Sequence, residues 1–223
     1  MKKYLILLLI LIMSACTENN NFQLNGDING LKKGTILLTK SSNGDEVILD
    51  SININGSSEF TLNSYLNEPE VLKLKLIKSG IHDDEVEFFA NEGIMIFNTS
   101  LKRFSYEAKF EGSAQQDKFQ EFKEMMSKFN EENLKLIKRQ IESIDDIEEI
   151  KIIQNELNSL QKREVLYIVN FSLNNKENEI SPYIILKYKN VINTKYLEKA
   201  YNSLDNNIRN SKYGILLKEE LQL

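Results

Sequence analysis

The sequence predicts an α+β fold: an N-terminal antiparallel β-sandwich or open barrel of about eight strands, then an α-helical region with a long antiparallel helix pair. Three observations predict it. From Phe22 to about Glu111 apolar residues recur at every second position. Asn-Gly pairs interrupt that stretch at short intervals, and after Gly112 the apolar spacing changes to steps of three and four. A period of two marks strands with one buried and one wet face, and steps of three and four mark one side of a helix.

Ahead of the strands, Tyr4 to Met13 is an unbroken apolar or aromatic run, well short of the roughly 20 residues that a membrane helix needs. Lys2 and Lys3 precede it, and Ser14-Ala15-Cys16 follow. A basic start, a short apolar stretch and small residues before a cut describe a secretory signal peptide. Small residues directly before a cysteine resemble the lipobox of bacterial lipoproteins, although Met13 stands where Leu is usual. The resemblance implies cleavage between Ala15 and Cys16, a diacylglyceryl thioether on Cys16 and acylation of the new amino terminus. Residues 1–15 are therefore expected to be a lipoprotein signal peptide and residues 16–21 a lipidated tether. Two or more acyl chains make a stable anchor where one is marginal. Thr17 to Asn21 reaches at most about 17 Å when extended, which keeps a fold beginning at Phe22 close to the membrane surface.

Strands are expected at 22–29, 34–40, 46–52, 58–63, 70–77, 85–90, 93–98 and 104–111. Leu72, Leu74 and Leu76 alternate with Lys73 and Lys75, and Tyr106, Ala108 and Phe110 alternate with Glu107 and Lys109. Asn25-Gly26, Asn29-Gly30, Asn43-Gly44-Asp45 and Asn55-Gly56 are pairs favoured in tight turns. Such short strands at regular spacing suggest a β-sandwich domain, here 22–112.

The helical region, 113–223, opens at Ser113. Ser113 as N-cap and Gln116 three residues later form a capping box, in which each side chain satisfies the other's backbone N–H. Phe119, Phe122, Met126, Phe129, Leu134, Ile137, Ile141 and Ile144 fall within one arc of a helix and are expected as its core stripe. Ile150, Ile153, Leu157, Leu160, Tyr167 and Phe171 make a second stripe. Between them Asp145 or Asp146 can cap the new helix, with Glu148 and Glu149 in its first turn. Ser181-Pro182 reads as another helix start, Ser as cap and Pro in the first turn. Leu197, Ala200, Tyr201 and Leu204 mark a further helix, and a last short one is expected after Ser211.

Composition narrows the function. The chain has 28 basic and 33 acidic residues, net −5. Losing Lys2 and Lys3 with the signal leaves 26 against 33, a mature charge of −7, whereas nucleic-acid binding demands a basic face. The same balance argues against electrostatic docking on anionic lipid. Cys16 is the only cysteine, so the sequence holds no disulfide, Cys-x-x-Cys or thiolate metal cage. No Gly-x-Ser-x-Gly surrounds Ser113, which speaks against a nucleophile elbow. His82-Asp83-Asp84 with Glu85 is the one cluster of metal-ligand residue types. Adjacent residues rarely converge on one hard cation, and a charged loop between strands is the better reading; no metal or cofactor is expected.

The strand half resembles the module catalogued as domain of unknown function 4369. The resemblance rests on Phe22-Gln-Leu-Asn-Gly26 with Ile28-Asn-Gly30, on Gly34-Thr-Ile-Leu-Leu38, and on Leu49-Asp50-Ser51 with Asn55-Gly56 and Phe60. Pro69, Phe89-Ala-Asn-Glu-Gly93 and Phe110-Glu-Gly-Ser113 complete it. It implies an exported lipoprotein, often continued in relatives by a thioredoxin-like domain whose redox cysteines are not matched here. The expected function is a membrane-anchored exported lipoprotein acting as a non-catalytic binding or interaction module of the cell envelope. Its partners would be the membrane, through Cys16, and an envelope protein, by default at the outer membrane facing the periplasm. Two alternatives stay open: an accessory to a separately encoded thioredoxin-like oxidoreductase, and a hydrolase with an unrecognised carboxylate site.

Overall fold

The computed structural model describes residues 20–42, 44–78 and 84–223. Ala15, Cys16, Asn43, His82 and Asp83 lie outside the described residues. Eight strands form two four-stranded sheets. One contains β1 (Phe22–Asn29), β4 (Glu59–Ser64), β7 (Gly93–Ser100) and β8 (Lys109–Glu111), in the order β4-β1-β7-β8. The other contains β2 (Lys33–Ser42), β3 (Asp45–Asn55), β5 (Glu70–Ile77) and β6 (Asp84–Ala90), in the order β3-β2-β5-β6. Neither sheet closes on itself, so the architecture is a sandwich.

Five strand pairs are antiparallel, and β1–β7 is parallel, running from Phe22↔Gly93 to Asn29↔Ser100. A parallel pair needs a long crossover, which the chain from β2 to β6 supplies. Alternation sends Leu72, Leu74 and Leu76 inward to full burial and leaves the intervening lysines on the outer face. Beside Leu72 the ring of Phe88 on β6 stacks at 4.4 Å on Phe110 of the facing sheet. Asn25-Gly26 is not a turn but mid-strand in β1. A Cβ at Gly26 would stand 2.1 Å from the Phe60 ring, so the missing side chain makes room for that ring.

The last expected strand, 104–111, is mostly absent; only Lys109–Glu111 pairs. Residues 101–103 form a 3-10 turn, and Glu107 N–H reaches Arg103 C=O at 2.8 Å. Phe104 fills the core at 2% exposure while Tyr106 is 80% exposed with the Arg103 guanidinium 4.1 Å over its ring. The apparent alternation there belongs to a helical turn anchored by buried Phe104, with Leu101 and Ala108 packed partly against the same core.

Six α-helices follow: α1 (Ala114–Glu142), α2 (Ile147–Asn174), α3 (Ile180–Lys187), α4 (Thr194–Ser203), α5 (Asn206–Arg209) and α6 (Lys212–Glu220). Helices α1 and α2 are the antiparallel hairpin, with Asp146 accepting Glu149 N–H at 3.0 Å as the second cap. Phe122 meets Phe171 at 4.9 Å and Phe129 meets Tyr167 at 5.9 Å. Arg139 bridges to Glu149 and Glu156, each at 2.6 Å. Ser181 is no cap: it lies inside α3, fully buried, and its hydroxyl donates to Ser172 C=O at 2.9 Å.

The core stripe of α1 departs from expectation. Phe119, Phe122 and Leu136 are buried, with Met126 and Phe129 partly so. Leu134, Ile137, Ile141 and Ile144 are instead 56%, 38%, 68% and 72% exposed. Phe119, Phe122, Met126, Phe129 and Leu136 follow a seven-residue repeat, and Ile150, Ile153, Leu157 and Leu160 do the same on α2. Such a repeat drifts about 20° per heptad around a straight 3.6-residue helix. Over this length the seam turns away from the arc carrying Leu134, Ile137 and Ile141.

Candidate binding cleft between the strand and helical halves

The halves are joined where α3 and α6 pack on β5 and β6. Ser211 precedes α6 but makes no side-chain cap, leaving N–H groups of the first turn to other acceptors. Glu68 supplies one, its carboxylate accepting Lys212 N–H at 2.7 Å. A carboxylate at this end also suits the positive pole of the helix. The Lys212 ammonium in turn pairs with Glu70, whose other oxygen holds Lys40 at 3.0 Å. Glu70 is 4% exposed, a burial that a carboxylate tolerates because two cations and their hydrogen bonds accompany it.

One residue further on, the Tyr213 hydroxyl accepts Val71 N–H at 2.8 Å. Pairing of β2 with β5 stops at Thr39↔Lys73, so Val71 lies past the end of that ladder and its N–H needs a partner. Tyr213 provides it from a residue far along the chain. Its ring lies 5.1 Å from Tyr183 and 6.1 Å from Phe89, which lays an aromatic wall between the halves.

Beside this wall run two hollows of about 670 and 640 Å³ that share Glu87, Tyr183, Tyr213 and Leu216. The first is further bounded by Ser41, Ser42 and Val71, the second by Lys187 and Lys189. Glu87 accepts from the Lys187 ammonium at 2.5 Å and from the Tyr183 hydroxyl at 3.5 Å. Lys73 links Glu87, at 4.0 Å, to Glu85, at 3.2 Å. Lys75 carries the chain on to Glu85, at 3.5 Å, and Glu46, at 2.6 Å. An alternating ladder of acids and amines therefore crosses the outer sheet face into the cleft.

Burial raises both phenols well above the usual tyrosine range, for Tyr183 with Glu87 adding to the effect. They stay protonated and serve as hydrogen-bonding groups. Burial lowers the Lys123 ammonium, with Glu87 opposing; this amine stands 4.8 Å over the Phe119 ring and 3.5 Å from Glu87 C=O. Lys187 and Glu46 with Lys75 are engaged in ion pairs. The arrangement can hold a ligand by apolar contact with Val71, Ile215 and Leu216 and by hydrogen bonds to phenols and to the rim ladder.

The residues singled out from sequence lie elsewhere. Ser113 Oγ accepts Gln116 N–H at 3.2 Å, but the return bond of a capping box is not the one that the Gln116 side chain makes. Its Oε1 accepts Phe89 N–H at 2.8 Å, so Gln116 fastens α1 to the edge of β6. Asp84 pairs with Lys78 at 2.9 Å, and His82 and Asp83 are outside the described residues. Among the described residues no group of three or more His, Cys, Asp or Glu is placed to hold a metal, and no helix is long and apolar enough to cross a membrane. Tyr183, Tyr213, Glu87, Glu70 and Lys212 were not distinguishable in the sequence from ordinary helix and strand residues.

Residues 22–119 match the model of a family described as Domain of unknown function (DUF4369). The match spans all eight strands and runs into α1, past the Gly112 boundary that the change of period suggests. The structure supplies a reason: Gln116 and Phe119, 6.3 Å from Phe89, finish the β6 edge, so the first turns of α1 complete the sandwich. No curated protein matches the chain.

Proposed function

We propose that this chain, whose residues 22–119 form a DUF4369 domain, is an exported lipoprotein of the cell envelope. In this reading it is anchored through Cys16, by default in the outer membrane facing the periplasm, and acts as a non-catalytic binding or interaction module. The observation that carries the anchor is Ser14-Ala15-Cys16 standing directly after the apolar run and the basic start. Cleavage and acylation there would yield the two or more chains that make attachment stable. Support for binding comes from the cleft, whose amines and carboxylates are largely paired and whose phenols are held protonated. Such groups recognise a ligand more readily than they exchange protons with one near neutral pH.

The test is crosslinking in intact cells, comparing the natural chain with Cys16→Ser and identifying products by mass spectrometry. A dominant envelope partner captured only by the anchored form is the expected result. Recovery of the natural chain in the soluble fraction, without acyl mass on Cys16, would sink the anchor.

A further inference from the structure

We propose that the far end of the α1–α2 hairpin is a docking surface for an amphipathic helix of a protein partner, one with an apolar face and a basic rim. This rests on the reading of the chain as an interaction module and gives that module a second, separate contact. Leu134, Ile137 and Ile141 continue in steps of three and four along α1, outside the seam that α2 fills. Ile144 and Ile147 carry the stripe around the turn, at 72% and 70% exposure. Contiguous apolar surface of this kind marks a contact site on a water-soluble fold. Anchors spaced three and four residues apart suit a helix laid against them.

Position excludes the anchoring membrane as the occupant. Gly93 N–H binds Asn21 C=O at 2.8 Å, and Ser113 Oγ binds Asn91 Oδ1 at 3.0 Å, so the tether and the start of α1 share one end of the sandwich. From there α1 runs back along β6, touching Phe89 through Gln116 and Glu87 C=O through Lys123. With 29 residues it is about 43 Å long, while the seven residues of β6 span about 23 Å. The hairpin therefore runs past the end of β6, away from the tether.

Charge selects among the remaining occupants. Residues 131–151 hold seven carboxylates and four cations. Arg139, Lys138 and Lys151 pair with Glu149, Glu142 and Glu148 within the hairpin, and Glu132 pairs with Arg163. Of the remaining charges Glu131, Asp145 and Asp146 stand against Lys135, so the rim offered outward stays acidic. A second copy would bring like rims together, and an anionic lipid surface would be repelled. A basic-rimmed partner gains on both counts.

The experiment uses the full-length chain from whichever cell fraction holds it, in nanodiscs of zwitterionic lipid where that fraction is the membrane. The probes are two synthetic amphipathic helical peptides with the same leucine stripe, one rimmed by lysine and the other by glutamate. Fluorescence anisotropy should show the lysine-rimmed peptide binding at least about tenfold more tightly than its counterpart. High salt, or Ile141→Gln with Ile144→Gln, should remove that preference, while an unchanged melting curve shows that the double variant still folds. Equal binding of the two peptides, no binding, or binding indifferent to the double substitution overturns the proposal. So does self-association, or vesicle binding, that disappears with Ile141→Gln and Ile144→Gln. The fraction in which the chain is found tests the anchor separately, and a partner crosslinked elsewhere on the fold would keep the module reading while this contact failed.

Discussion

Tyr213→Phe removes one oxygen and keeps the ring. Tyr213 is 7% exposed at the junction, its ring against Tyr183 and Phe89, so packing is retained and the change isolates the bond from Val71 N–H at 2.8 Å. A buried donor left without an acceptor costs about 1–3 kcal/mol. Val71 is only half-buried beside the open cleft, and water can partly replace the hydroxyl, which places the expected loss near 1–1.5 kcal/mol. For a chain of this length that is a fall in Tm of about 2–5 °C. Urea unfolding should show a lower midpoint with an unchanged slope, since the surface exposed on unfolding is the same. Hydrogen exchange should show the Val71 amide losing protection more than its neighbours in β5. An unchanged midpoint together with an unchanged Val71 amide would mean that Tyr213 does not dock α6 on the sheet, and the account of the junction would fall.

Alkaline pH should weaken the fold through Tyr183 and Tyr213. Their folded pKa values are raised above the ordinary phenol value near 10, so the native state holds those protons longer, and stability is intact below about pH 10 and lost as pH rises beyond it. Urea midpoints of the parent and of Tyr183→Phe with Tyr213→Phe, taken at neutral and at alkaline pH, should converge as pH rises; a constant gap would refute the linkage. Leu136→Ala should cost about 2–3 kcal/mol because it empties a position in the hairpin seam, whereas Ile141→Ala should stay within about 0.5 kcal/mol; chemical denaturation of both variants checks the phase of the seam. Gly112→Ala should destabilise by at least about 1–3 kcal/mol, since φ there is +103° and a Cβ would come within 2.6 Å of Ile94 C=O; a melting curve equal to the parent's would contradict that geometry.

The sandwich was legible because one face of each sheet is wet. In β5 the lysines between Leu72, Leu74 and Leu76 have to stay in water, so the period is printed in the residues themselves. It misled at 104–108, where the alternation of Tyr106 and Ala108 with charged residues is also compatible with a turn closed by Arg103 and Glu107. One buried ring, Phe104, decided between them, and its depth depends on Phe97, 5.8 Å away. In the hairpin, eight apolar residues on one arc looked like one stripe. A helix packed against a single partner follows the slower seven-residue repeat, and which residues obey it is settled by the facing stripe on α2, not by α1 alone.

The cleft was not legible for a related reason. Each of its parts has a local use that conceals the distant one. Gln116 looks like half of a capping box, yet its side chain closes the β6 edge. Lys212 and Tyr213 look like the first turn of a short terminal helix, yet they satisfy Glu70, Glu68 and Val71 across more than half of the chain. Lys73 looks like the wet face of a strand, yet it joins two carboxylates of β6 in a ladder ending at α3. The Val71 N–H that the β2–β5 ladder leaves open and the buried charge of Glu70 arise where the pairing of β2 with β5 stops at Thr39↔Lys73, and strand register is something no local pattern states. The helices after residue 119 therefore do more than extend the segment that the DUF4369 model matches. They complete hydrogen bonds and ion pairs that its strands leave open, and the cleft forms along the line where that completion occurs.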